Sequence, residues 1–128
     1  SFAAIALAPG VASYNVAKAG VLALSETLRC ELAADGIHVT VVCPAFFKTN
    51  LVSSMHGSSD KVKNQINRWM DNSGYTADDV AGMILAAINR RQFMVLCDGT
   101  TRWQYRLSRW FPNFFYKQKL KMIKRMFK

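Results

Sequence analysis

The sequence predicts an α/β fold with a parallel sheet, and two observations carry that reading. Two short runs are apolar or β-branched almost throughout, and helix-period apolar patterns accompany them. The two runs are IHVTVVC, residues 37–43, and QFMVLC, residues 92–97. Strands covered on both faces of a parallel sheet read in this way, because neither face alternates with solvent.

The helices follow from spacing and end signals. Val16, Val21, Leu24, Leu28 and Leu32 recur at helical intervals from about residue 12 to 34, and Asp35-Gly36 closes the run. One face of this stripe is expected to cover the sheet. A second helix is announced by Thr76 as N-cap with Asp79 three residues on, followed by Val80, Met83, Ile84, Ala87 and Ile88 up to Asn89 and Arg90. It runs straight into the second strand, so a right-handed crossover is the expected connection. Residues 50–75 interrupt this order and read as a mobile segment or short helices. Beyond them, Leu120, Ile123 and Phe127 share one helical face and Lys117, Lys121, Lys124 and Lys128 another, with Pro112 dividing residues 101–128 into two pieces.

Chemistry is concentrated near the start of the chain. Tyr14 and Lys18 stand four apart at the head of the first helix, one above the other on a single face. A free phenol titrates near ~10, and moving a proton near neutrality takes roughly 4 kcal/mol of preferential phenolate stabilisation. A cation about 4 Å away at an effective dielectric near 20 supplies that order of energy. A tyrosine so placed is a candidate general acid and base, with a hydroxyl such as that of Ser1 to hydrogen-bond a substrate oxygen as charge moves onto it; the pair taken alone reads equally as an ordinary surface helix pair.

The stretch SFAAIALAPGVASYNVAKAG, followed by LSETLRCELAADGIHVTVVCPAFFKTNL, resembles the short-chain dehydrogenase/reductase family in its serine, its loop proline Pro9, its Tyr-x-x-x-Lys pair and its segment from Pro44 to Thr49. The resemblance implies the C-terminal half of a doubly wound Rossmann-like sheet, residues 1–100, with a lid at about 50–75 and a basic amphipathic helical tail over 101–128. It implies an oxidoreductase that interconverts an alcohol and a carbonyl with NAD or NADP. Ser1 would polarise the carbonyl, Tyr14 would exchange the proton, and Lys18 would support the phenolate and hold the nicotinamide ribose. Pro44, Ala45 and Thr49 would line the cofactor site, Thr49 at the carboxamide. The family usually has glycine where Ala45 stands, so a methyl group approaches the cofactor there. The family also packs the Tyr14/Lys18 helix against its counterpart in another subunit, which implies a homodimer or tetramer.

No Gly-x-x-x-Gly-x-Gly run occurs among the seven glycines, and Ser1 stands where a buried central strand of the family ends. The pyrophosphate-binding half is therefore expected upstream, and the isolated chain is expected to be inactive. Within the lid, Leu51, Val52, Met55, Trp69 and Met70 are candidates to line a pocket for a hydrophobic alcohol or carbonyl; an ordinary packed helix accounts for some of them equally well.

Composition narrows the remaining classes. Cys30, Cys43 and Cys97 sit in apolar runs, which favours buried free thiols and a reducing, cytoplasmic setting. The opening FAAIALA lacks a methionine and a basic leader and is not read as a signal peptide. His38 fits a sheet-edge or packed position and His56 a solvated loop, and no His, Cys or carboxylate cluster has metal-ligand spacing. The formal charge of +9 arises in the tail: residues 1–98 hold eight basic and eight acidic groups, residues 99–128 nine basic and none acidic. Basic amphipathic helices with aromatic anchors suit an anionic membrane surface. Alternatively the tail aromatics pack over the substrate pocket. No nucleic-acid module accompanies them, so nucleic acid is not an expected partner. A scaffold kept without catalysis, as a binding or membrane-associated module, is the alternative function.

Overall fold

The computed structural model describes residues 1–47 and 60–126. In chain order the elements are α1 (Ala3–Ala6), α2 (Ala12–Glu31), β1 (Val41–Val42), α3 (Asp60–Asp71), α4 (Ala77–Asn89), β2 (Met94–Val95), α5 (Gly99–Trp110) and α6 (Pro112–Met126). β1 and β2 pair in parallel, Val41 opposite Met94 and Val42 opposite Val95. The Val41 N–H donates to Phe93 O at 2.7 Å and the Cys43 N–H to Val95 O at 2.9 Å. Both strands are much shorter than the apolar runs that announce them. The Ile37 N–H turns back to Leu32 O at 3.2 Å rather than to a neighbouring strand, and Ile37 is 51% exposed. His38, expected at a sheet edge or in packing, is exposed and outside the ladder.

α4 is built from its ends inward. The Thr76 hydroxyl accepts from the Asp79 N–H at 3.2 Å, and the Asp79 carboxylate accepts from the Thr76 N–H at 2.8 Å, closing the reciprocal cap read from the sequence. One face of the helix then buries Val80 and Ala87 against Val95 and Cys97, with Val42, Phe47 and Tyr75 packed around them. A buried aliphatic side chain such as that of Val80 contributes about 1.5–3 kcal/mol. Among the described residues Cys43, just past β1, is the most deeply buried of the apolar side chains, 1% exposed.

α2 corrects two expectations. Its apolar stripe does not face the sheet as a whole: Leu22, Leu28 and Leu32 are half-buried, while Val16, Val21 and Leu24 are exposed. Cys30 lies on the exposed side, so only Cys43 and Cys97 are the buried thiols expected of all three. The C-terminal end of α2 is tied to the sheet by Arg29, whose guanidinium lies 4.6 Å from the centroid of the Phe93 ring. The chain then turns through Gly36 at φ +72°, a left-handed conformation that costs glycine nothing.

A second apolar cluster sits on α3, where buried Ile66 and Met70 pack with Trp69, Val11 and Phe46. It joins α3 to the residue before α2 and to the segment leaving β1. α5 is capped by Asp98, whose carboxylate accepts from the Thr101 N–H at 2.7 Å. Pro112 has no N–H to continue α5 and instead opens α6. α5 packs on α1 and α6, and a cavity of about 300 Å3 opens among α1, α2, α5 and α6, lined in part by Leu22, Tyr105, Ser108 and Phe115.

Candidate active site

Alternate residues of a parallel strand direct their backbone groups to opposite edges. Val41 and Cys43 bond to β2, so the Val42 and Pro44 carbonyls point the other way. They accept from the Ser1 N at 3.1 Å and the Phe2 N–H at 2.8 Å. Ser1 is thereby fixed beside the end of β1, at the level of Pro44, and buried Phe2 anchors it from behind. The Ser1 hydroxyl also accepts from the Ala3 N–H at 3.3 Å, which orients it at the head of α1.

α1 packs against α2, and that contact brings the two hydroxyls together. The Tyr14 hydroxyl donates to Ser1 Oγ at 3.3 Å, across thirteen positions of sequence. Lys18 is one turn further along α2, its Nζ 5.3 Å from the centroid of the Tyr14 ring. All three side chains are half-buried, the condition in which a polar group is both held and reachable. Pro44 and Ala45 are half-buried at the same end of β1. Thr49, Leu51, Val52 and Met55, together with His56, lie outside the described residues.

The remaining lid residues are in α3. Met70 is buried in the cluster with Ile66, and half-buried Trp69 lies against Phe46 with ring centroids 4.9 Å apart and planes tilted by 34°. Because this cluster includes Val11 and Phe46, α3 docks next to the start of α2 and the end of β1. These are the two segments that carry Tyr14 and Pro44-Ala45.

A family model described as enoyl-(acyl carrier protein) reductase matches residues 1–95. This chain belongs to the short-chain dehydrogenase/reductase family. Among its relatives, the protein named probable oxidoreductase EphD of Mycobacterium tuberculosis is 30% identical over 100 residues, covering 72% of this chain and 17% of the relative. The 11-beta-hydroxysteroid dehydrogenase 1A of Arabidopsis thaliana is 30% identical over 91 residues, 70% of this chain and 26% of the relative. The 3-oxoacyl-[acyl-carrier-protein] reductase FabG of Staphylococcus epidermidis is 40% identical over 58 residues, 45% of this chain and 22% of the relative. The chain thus spans about a quarter or less of the length of these relatives. No solved structure gives a significant match.

One residue beside the candidate site was missed in the sequence. Asn15, beside Tyr14, is 8% exposed and donates through Nδ2 to the Ala8 carbonyl at 2.6 Å, pinning the loop between α1 and α2. Its Oδ1 is buried without a partner. The available signal was an asparagine in the first turns of a helix, where a short amide competes with the backbone unless it is put to use. Phe46, which meets Trp69, was also missed. Among the described residues no group of three His, Cys, Asp or Glu is arranged to hold a metal ion, and no helix is long and apolar enough to cross a membrane.

Proposed function

We propose that the protein is an oxidoreductase interconverting an alcohol and a carbonyl with NAD or NADP, acting on a hydrophobic substrate. The observation that carries this reading is the hydrogen bond from Tyr14 to Ser1 with Lys18 stacked beside the same ring. The donor set fits the nicotinamide riboside end of such a cofactor. An ammonium offers three N–H donors to ribose hydroxyls, and Pro44 and Ala45 stand at the same strand end as Ser1. When bound, the cofactor supplies or accepts the hydride.

The chain's own residues do the rest. In reduction, Ser1 Oγ–H donates to the carbonyl oxygen, and Tyr14 Oη–H passes its proton to that oxygen as negative charge develops there. Lys18 offsets the charge left on the phenolate. Oxidation runs these steps backwards, with the phenolate as base. Ala8 and Asn15 keep Tyr14 directed at Ser1. The apolar part of the substrate would meet Trp69 with Leu51, Val52 and Met55.

Several finer points belong to the same proposal. The two-stranded sheet is read as half of a doubly wound Rossmann-like sheet, and with no glycine-rich pyrophosphate turn here, catalysis needs residues beyond these 128. The exposed Val16, Val21 and Leu24 of α2 suit self-association into a homodimer or tetramer. A cytoplasmic setting, peripheral to a membrane, accords with the three free cysteines and the basic residues 99–128.

The test is Tyr14→Phe in the protein carrying its full chain. Loss of a positioned general acid lowers turnover by about a hundred- to ten-thousandfold, while nicotinamide binding stays within about threefold because Lys18 is untouched. A variant that keeps its rate assigns the proton to another group and removes this reading.

A further inference from the structure

α5 and α6 divide their side chains by chemistry. Inward, Thr101 is buried, and Tyr105, Ser108 and Phe115 are half-buried around the cavity shared with α1 and α2. Away from the cavity, Arg102, Trp103, Arg106 and Trp110 are exposed, and exposed Arg109 stands at its rim. At 3.6 residues per turn these five fall within an arc of about 120°, the guanidinium groups along one edge and the indoles along the other. α6 carries exposed Phe114, Lys117, Lys121 and Lys124 on one side of its own axis. At the corner made by Pro112, Trp110, Phe111 and Phe114 are 78%, 59% and 50% exposed.

Charge separates this face from the other open apolar face. The exposed Val16, Val21 and Leu24 of α2 belong to residues 1–98, where basic and acidic groups are equal in number. Residues 99–128 hold nine cations and no anion, so a second copy of the same face would repel it, and only an anionic partner with an apolar interior satisfies both halves of the face. We propose that the exposed face of α5 and α6 is a docking surface for an anionic lipid bilayer. Arginine and lysine engage headgroup phosphates, the amphipathic indole of Trp110 sits at headgroup level, and the apolar rings of Phe111 and Phe114 enter the acyl boundary beneath it. The inference is independent of the catalytic reading.

The full chain is sedimented with vesicles of phosphatidylglycerol and phosphatidylcholine in equal parts, and with vesicles of phosphatidylcholine alone. Binding is expected on the first only. It is expected to weaken as salt rises from about 0.1 M to about 1 M, where the Debye length falls from about 10 Å to about 3 Å. Replacing Arg102, Arg106 and Arg109 together by glutamine lowers partitioning roughly a hundredfold, at about fivefold per cation. A Trp69→Phe variant leaves Trp103 and Trp110 as the tryptophans of these 128 residues, and brominated lipid in the anionic vesicles is expected to quench them; this readout needs no change in the docking face. Equal sedimentation on neutral vesicles, the absence of quenching, or a duplex oligonucleotide that binds as tightly and displaces the vesicles overturns the proposal.

Discussion

Asn15→Asp is the sharpest probe of how α2 is held against the loop that precedes it. The native amide donates to the Ala8 carbonyl at 2.6 Å from a position only 8% exposed, and its Oδ1 has no partner. A carboxylate there donates nothing. Leaving the Ala8 carbonyl unpaired costs about 1–3 kcal/mol, and holding an unpaired charge in that site adds several more. The sum is a large part of the total stability of about 5–15 kcal/mol usual for a domain.

The pH dependence has a definite sign. Burial and the facing carbonyl raise the introduced carboxyl above its ordinary ~3.9. The folded state then favours the protonated form, which can donate to Ala8. The deficit is absent below the ordinary carboxylate range and opens as pH rises through the elevated value. Asn15→Ala carries only the first cost, reduced by removal of the orphaned Oδ1, and stays pH-independent. Urea unfolding of the full chain at about pH 4 and about pH 7 reads both variants. If Asn15→Asp lies within about 0.5 kcal/mol of the parent at neutral pH, as exposed substitutions do, Asn15 is not a buried tie and the account of how Tyr14 is positioned fails.

Three further outcomes are expected. Thr76→Ala removes the cap of α4 and costs about 1 kcal/mol in thermal unfolding. The Asp79 carboxyl is held below its usual value by the Thr76 N–H and then by the Thr76 hydroxyl, so its contribution is present above the ordinary carboxylate range and is lost as pH falls through the lowered value. Asp79→Asn should therefore flatten the acid limb of the stability curve; superimposable acid limbs refute the cap. Alkylation with iodoacetamide near neutrality should label exposed Cys30 first. Burial pushes the Cys43 and Cys97 thiols up, so their stabilising effect is complete below the ordinary thiol range and fades as pH climbs through the shifted values; equal labelling of all three contradicts the burial.

The reach of sequence reasoning differed between local and distant features for a physical reason. The cap of α4, the closure of α2 near Gly36, the break at Pro112 and the Tyr14–Lys18 spacing all depend on groups a few residues apart. Helix period and cap chemistry act at that range, so these features were legible in the sequence. The strands were legible as apolar runs but not in extent, because a strand exists only where a neighbour's carbonyl receives its N–H. Ile37 satisfies its N–H locally at Leu32 instead.

What the sequence by itself determined, then, was the order and type of most elements, the helix ends, and the family pattern that singles out Ser1, Tyr14 and Lys18. Only the tertiary structure decided that the hydroxyls of Ser1 and Tyr14 meet, through pairing of Ser1 and Phe2 with the free edge of β1 and packing of α1 on α2. It alone also decided which leucines of α2 turn inward, that Cys30 faces out, and that Asn15 is buried. Each of these is set by what lies opposite a residue in space, which no periodicity along the chain encodes.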